Sequence, residues 1–229
     1  MKEIRILHLM PKLLSLYGEY GNVSILRNVL ADHGYHVSVE EWETGNLDLN
    51  GYDLIYIGSG TEDNLKEAVR RLTPYADQIR ESVDADRRWL ATGNAMSIFS
   101  SSALNTLPFD CVTDPEKRFM GDVITEDAFG GPLVGYVNTS CKFEGITAPL
   151  FSLRFGGHLG NDKGSTNAEG IRYREFLGTQ LIGPVLVKNP HFLEELAGRI
   201  AGCKITVSND SYLKKAYAVT LSELEKRAK

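Results

Sequence analysis

The sequence has 229 residues, 42% of them hydrophobic and 24% charged, and a formal net charge of −5. That length suits one large α/β domain with a well-buried core and is short for two. No basic block marks a nucleic-acid footprint, and no run approaches the roughly 18 apolar residues of a bilayer span, so neither nucleic acid nor membrane insertion is expected.

The chain opens on Met1-Lys2-Glu3-Ile4-Arg5-Ile6-Leu7, which lacks the long apolar stretch of a secretory leader, and a cytoplasmic protein is expected. Residues 5–10 are β-type and closed by Pro11, which cannot continue a central ladder; they predict the first parallel strand. A glycine-punctuated loop over 13–22 precedes residues 23–33, whose apolar positions fall at helical spacing and stop at Gly34. Residues 35–40 alternate apolar and polar, giving a second strand with His36 on one face; His33 and His36 read as ordinary surface or half-buried residues.

Residues 53–57 form a continuous apolar strand, the mark of a sheet covered on both faces. It runs into Gly58-Ser59-Gly60-Thr61-Glu62-Asp63. This loop lacks the third glycine of a dinucleotide turn and follows the third strand instead of the first, so the plainer reading is a tight strand-to-helix turn. Thr61 would cap the helix, with Glu62 and Asp63 in the first turn where the macrodipole favours acids. Residues 65–83 predict one long amphipathic helix or two shorter ones broken near Thr73-Pro74.

A fourth strand over 89–92 feeds the turn Thr92-Gly93-Asn94-Ala95, after which a helix is expected. In α/β enzymes such an elbow lifts a nucleophile above the sheet and aims backbone N–H groups at a developing oxyanion. Here the apex carries no nucleophile. The pattern predicts an α/β fold with a doubly wound, flavodoxin-like sheet and ligands at the C-terminal strand ends. Beyond the elbow, residues 118–124, 133–138, 150–155 and 171–173 are strand-like and glycine-bounded, which predicts a mixed or antiparallel second half.

Residues 155–165 form a loop with four glycines that carries His158, a solvated or catalytic candidate. A helix is expected over 190–201, and a Ser208-Asn209-Asp210 cap precedes a charged, peripheral or partner-binding helix over 212–229. The expected organisation is one domain over residues 1–203 and a helical C-terminal extension over 204–229. Cys111, Cys141 and Cys203 are widely spaced and read as reduced thiols. His8, His33, His36, His158 and His191 form no cluster of metal-ligand spacing, so neither a metal nor a cofactor is expected.

Six segments stand in one order and spacing: Leu14 with Tyr17-Gly18-Glu19-Tyr20-Gly21-Asn22, Tyr56-Ile57-Gly58-Ser59-Gly60, Lys117-Arg118-Phe119-Met120-Gly121-Asp122, Gly135-Tyr136-Val137-Asn138, Glu169-Gly170-Ile171-Arg172-Tyr173, and Gly178-Thr179-Gln180-Leu181-Ile182-Gly183-Pro184. Over residues 5–200 the chain resembles the class I glutamine amidotransferases of the cobyrinic/cobyric acid synthase type, and within them the glutaminase subunits of lipid II isoglutaminyl synthases. The resemblance implies that a Cys at the elbow attacks the side-chain amide of glutamine. It also implies that a His on the Gly-Thr-x-x-His-Gly-Pro segment activates the thiol, since the thiolate is the nucleophile and needs an adjacent base. This chain sets Gly93 at the Cys position and Ile182 at the His position, and neither can do that chemistry.

Two losses together, with the residues after the apex being Asn94 and Ala95, imply a site rebuilt for packing. Ser97 and Thr92 are the nearby hydroxyls that could substitute, without a histidine that the motif would bring to them. Arg118 takes the position of the family's substrate-recognising arginine, and a guanidinium can clamp a carboxylate in a bidentate pair; a structural ion pair is the competing role. Gly58, Ser59, Gly60 and Asn94 complete the candidate binding turn. Three functions follow from the resemblance. The first is a non-hydrolysing subunit that holds or regulates a Mur-ligase-like, ATP-dependent amidating enzyme in peptidoglycan precursor chemistry. The second is an active glutaminase using other groups such as His158 or Ser97. The third is a module that binds glutamine or another small carboxylate.

Overall fold

The computed structural model describes residues 3–114, 116, 118–156 and 167–228. Six strands form the main sheet: β1 (Glu3–Leu9), β2 (His36–Trp42), β3 (Leu54–Ile57), β4 (Trp89–Thr92), β11 (Ile171–Tyr173) and β12 (Phe176–Thr179). Their order is β11-β12-β4-β3-β1-β2, parallel throughout except for β11. Without β11, the five parallel strands follow the flavodoxin-like order, in which ligands bind outside the carboxyl ends of the strands.

The period-two alternation of the strands divides the core into two layers. Ile4, Ile6, Leu54, Tyr56, Leu90 and Leu177 face one cluster. Leu7, Leu9, Ile55, Ile57, Trp89, Ala91 and Phe176 face the other. The first layer is covered by α1 (Tyr20–Asp32), α4 (Val185–Lys188) and α5 (Pro190–Ala201), the second by α2 (Glu62–Leu72) and α3 (Ala76–Asp84). As expected, Thr61 caps α2 by accepting from the Asn64 N–H, and a short 3-10 turn over Thr73–Tyr75 separates α2 from α3. Proline at the second position of that turn costs the first helix no interior bond, so the break is built in.

The second half builds a four-stranded antiparallel sheet in the order β10-β9-β6-β7, from β6 (Phe119–Ala128), β7 (Gly131–Thr139), β9 (Phe151–Phe155) and β10 (Ala168–Glu169). A separate antiparallel pair joins β5 (Asp110–Thr113) to β8 (Cys141–Glu144). The expected antiparallel half is therefore present, with one correction. Residues 171–173 leave it and hairpin back onto β12 of the main sheet through Arg174, whose φ of +53° makes the tight turn. The last helix, α6 (Tyr212–Arg227), is capped by the Ser211 side chain and not by residues 208–210. It packs Leu224 against Ile124 and Val134, and its Tyr217 hydroxyl donates to the Pro132 carbonyl at 2.6 Å. Among the described residues no helix is long and apolar enough to cross a membrane. His158 lies outside the described residues.

Candidate functional site

The elbow sits at the carboxyl end of β4, and Trp89 anchors it from below. The Trp89 ring packs edge-on to Phe99 (centroids 5.6 Å apart), Phe99 packs edge-on to Phe176 of β12 (4.8 Å), and the Trp89 indole N–H donates to Ser82 Oγ at 3.2 Å. This buried aromatic triangle fixes where the chain leaves the strand. Residues Gly93–Phe99 then continue as the expected helix, in the tighter 3-10 form, with Ala95, Met96, Ile98 and Phe99 all buried. Three residues per turn bring every third side chain onto one line and let this short, crowded segment bury four of its six side chains.

At the apex Gly93 has φ +62°, a left-handed conformation that costs an L-residue about 1–2 kcal/mol. A Cβ placed on Gly93 would stand 2.6 Å from Ser59 Cβ and 2.7 Å from Ile182 Cγ2. Those separations are well inside van der Waals contact, so the apex has no room for a side chain as it stands. The fold thus brings Gly93, Ile182 and Ser59 together, although the first two are far apart in sequence. Ile182 is 3% exposed and is held by its own N–H, which donates to the Tyr136 carbonyl on β7 at 2.9 Å.

The glycine-rich turn after β3 forms the opposite wall. Asn94 clamps it from both sides: its Oδ1 accepts from the Gly60 N–H at 3.1 Å and its Nδ2 donates to the Gly60 carbonyl at 2.7 Å. Ser59 is buried, donating from its hydroxyl to the Leu16 carbonyl at 3.3 Å and accepting the Leu16 N–H on its own carbonyl at 3.0 Å. A Cβ on Gly58 would meet Glu19 Cβ and the Leu14 carbonyl oxygen at 2.9 Å each. The two polar candidates Asn94 and Gly60 therefore satisfy each other. Of the two hydroxyls, Ser97 donates to the Asn94 carbonyl at 2.7 Å, while Thr92 is buried and donates to Glu19 Oε2.

Beneath the apex lies a polar network. Glu19 is completely buried, and its carboxylate accepts from the Tyr56 hydroxyl at 2.9 Å, from Thr92, and from the Gly183 N–H at 3.0 Å. Asn22 donates to the Tyr56 hydroxyl at 2.9 Å and accepts the Leu186 N–H at 2.8 Å. Burial pushes the Glu19 carboxyl above its ordinary range, opposed by the donors from Thr92, Gly183 and Tyr56 and by the charge of Lys188. A second buried acid, Glu169, accepts from the Thr179 hydroxyl at 2.9 Å and from the Gln180 N–H at 2.5 Å, and burial raises it to about 7. Both acids brace the segment that carries Ile182. In the sequence Glu19 stands between glycines in a loop with no other acid, inside the first of the six resemblance segments.

Arg118 lies at the rim. It donates to Asn138 Oδ1 at 2.7 Å and forms an ion pair with Glu62 of α2, so its guanidinium already holds a carboxylate of this chain. Asn138 in turn donates to the Tyr17 hydroxyl at 2.8 Å. Beside Arg118 opens a cavity of about 400 Å³ between α2, the 3-10 helix and the β5–β8 pair, lined by Glu62, Asn94, Ser97, Cys111, Asn138 and Cys141 among others. No group of three or more candidate metal ligands occurs among the described residues.

An open parallel sheet of this order, an elbow at the end of its fourth strand and a Gly-Ser-Gly turn facing it define a class, and comparison with known proteins agrees. A glutamine amidotransferase from Thermotoga maritima superposes with a TM-score of 0.56 over 98% of this chain and 93% of its own, at 11% identity. The chain therefore has the class I glutamine amidotransferase fold. No family model matches the sequence. At the level of sequence the chain is similar to the lipid II isoglutaminyl synthase (glutamine-hydrolyzing) subunit GatD of Staphylococcus aureus, with 27% identity over 201 residues, 82% of this chain and 81% of the relative. It is also similar to the GatD subunit of Streptococcus pneumoniae, with 23% identity over 208 residues, 85% of this chain and 79% of the relative.

Proposed function

We propose that this protein is a glutamine amidotransferase-like subunit that does not itself hydrolyse glutamine. In this reading it serves as structural or regulatory partner of a Mur-ligase-like enzyme that amidates a peptidoglycan precursor. The enclosed apex carries the reading: a nucleophile at position 93 needs a Cβ, and that atom would fall within 2.7 Å of both Ser59 and Ile182. Amide hydrolysis by this fold also needs a base beside the nucleophile, and an aliphatic side chain stands there. The similarity to GatD subunits supports the assignment to a multi-subunit amidating system. Exposed apolar residues on the rim, Leu16, Tyr17, Tyr20 and Met120, supply the kind of surface that a partner subunit covers.

The test has two arms. Ammonia release from glutamine is measured for the chain alone and with the ligase-like protein from the same source, and no release is expected in either case. Co-purification from the native host is expected to recover that ligase, and a chain that emerges alone counts against the partner role. The opposite reading, an active glutaminase that supplies ammonia, draws on the words "glutamine-hydrolyzing" in the names of both relatives, and ammonia release in the same assay would establish it. Binding of a small carboxylate draws on the cavity beside Arg118; there the ligand must displace Glu62.

A further inference from the structure

The cavity beside the elbow carries a second cluster of reactive groups. In the β5–β8 pair Thr113 stands opposite Cys141 and Cys111 opposite Phe143, which puts the two cysteines on a diagonal of one face. Thr113 Oγ1 lies between them, 3.5 Å from Cys141 Sγ and 4.0 Å from Cys111 Sγ. Cys111, Thr113 and Cys141 all line the cavity, and both thiols are half-buried, so a small molecule in the cavity reaches them. The third cysteine, Cys203, is exposed and belongs to neither strand.

The two sulfurs are chemically unequal. The Cys141 thiol is lowered by the neighbouring Cys111 thiol and by the Thr113 and Thr139 hydroxyls, with burial and the Glu62 charge opposing. Cys111 is raised by the same contact, by burial and by the charges of Cys141 and Asp110. The Thr113 hydroxyl stands nearer the Cys141 sulfur, at 3.5 Å against 4.0 Å, and a donor there favours the thiolate, which suits Cys141 to attack and Cys111 to resolve.

We propose that Cys111 and Cys141 form a hydroperoxide-sensitive dithiol site on the wall of this cavity, closing to a reversible intramolecular disulfide. The Cys141 thiolate attacks one peroxide oxygen; the S–O bond forms, the O–O bond breaks, and the departing hydroxide takes a proton to become water. Cys111 then loses its proton and attacks the Cys141 sulfur, forming the S–S bond and expelling the sulfenic oxygen as a second water. Two thiols give up two electrons and two protons, and one hydrogen peroxide becomes two waters. Diagonal positions of an antiparallel pair stand about 7–8 Å apart, beyond the usual span of a disulfide, so closure draws β5 and β8 together. The pair belongs to neither larger sheet, so its adjustment breaks no ladder of either, and a strained disulfide of this kind is readily reduced by external thiols. Closure removes both sulfurs from the wall facing Asn94 and Ser97, so oxidation reshapes the cavity whether or not the elbow hydrolyses glutamine.

The experiment exposes the reduced full chain to a small molar excess of hydrogen peroxide, quenches with catalase, alkylates under denaturing conditions and reads the intact mass and the tryptic map. The expected result is one alkylated thiol, Cys203, with the peptides of Cys111 and Cys141 linked and the link removed by dithiothreitol. Cys203→Ser is expected to keep the link. Cys111→Ser is expected to halt at a Cys141 sulfenic acid that dimedone traps. Three alkylated thiols, a dimer joined only through Cys203, or Cys141 carried to sulfinic acid without a link would each overturn the proposal. The wild-type arm needs no variant to fold.

Discussion

Substitution of Gly93 by alanine isolates the closed apex from any question of catalysis. Elsewhere Gly→Ala at a compatible position stabilises by about 0.4–1 kcal/mol through the unfolded chain, so the sign of the effect is itself diagnostic. At Gly93 two costs apply. Holding an L-residue at φ +62° costs about 1–2 kcal/mol. Forcing a methyl to within 2.6 Å of Ser59 Cβ and 2.7 Å of Ile182 Cγ2 is overpacking, worth about 1–3 kcal/mol. Together the loss is about 2–5 kcal/mol, which at a urea m-value of about 2–3 kcal/mol/M lowers the midpoint by about 1–2 M. Equilibrium urea unfolding followed by circular dichroism measures it. Ile182→Ala alone should cost about 2–4 kcal/mol as a cavity, and in the double variant the two losses should fall short of their sum by at least about 0.5 kcal/mol, because the alanine methyl occupies the vacated space. A Gly93→Ala protein as stable as wild type, or strict additivity in the cycle, would refute the argument. Gly93→Cys should lose stability likewise and release no ammonia from glutamine, since Ile182 supplies no base; a single variant that turns over glutamine would show the reading of Ile182 to be wrong.

Three further outcomes are expected. Glu169 is neutral in the folded state below pH 7 and has an ordinary carboxyl unfolded, so its contribution is fully present below about pH 4.5 and is lost as pH rises to about 7. Glu169→Gln should remove that decline, gaining on the order of 3 kcal/mol over wild type between pH 5 and pH 8 in urea midpoints, and an unchanged difference across that range would contradict it. Asn94→Ala abandons both polar groups of Gly60 and should cost about 1–3 kcal/mol; a change below about 0.5 kcal/mol would mean that water replaces the clamp without loss. Arg118→Ala breaks an exposed ion pair and should shift stability by less than about 1 kcal/mol, and calorimetry with glutamine and glutamate on the same variant should show no binding; retained binding would remove Arg118 from any carboxylate site.

The parallel half of the fold was legible because its signals are local. β3 is four buried residues in a row, Thr61 and Thr73-Pro74 punctuate the helices by their own chemistry, and α5 runs from Pro190 to Ala201 as its spacing predicts. The strands with no clear local signal are short. β12 reads Phe-Leu-Gly-Thr, with Gly178 where a Cβ would meet Met96 Cγ at 2.8 Å, so its glycine answers to packing and not to a turn. β5 and β8 are four residues each, too short for the inward set Cys111, Thr113, Cys141 and Phe143 to stand out from the polar residues between them. At the site, the adjacency of Gly93 and Ile182 followed from the resemblance and not from periodicity. The bonding of Glu19 is not legible, because Tyr56 and Thr92, its buried partners, belong to strands whose pattern is apolar. Such polar networks are invisible in composition, since each member is justified only by a partner from another part of the chain.

The bonds from Gly183 to Glu19 and from Leu186 to Asn22 each span 164 positions of sequence, which bears on how the molecule is made. During synthesis β4 emerges with one edge unpaired, and its partner β12 arrives more than eighty residues later. At about 5–20 residues per second the nascent chain carries that open edge, and Glu19 without its Gly183 donor, for roughly ten seconds. The elbow region is thus among the last parts to assemble, in one step with the C-terminal third. A chain cut short before Leu186 should therefore not yield a smaller folded protein but an aggregation-prone sheet, and a protease that removes only residues beyond α5 should leave the elbow intact.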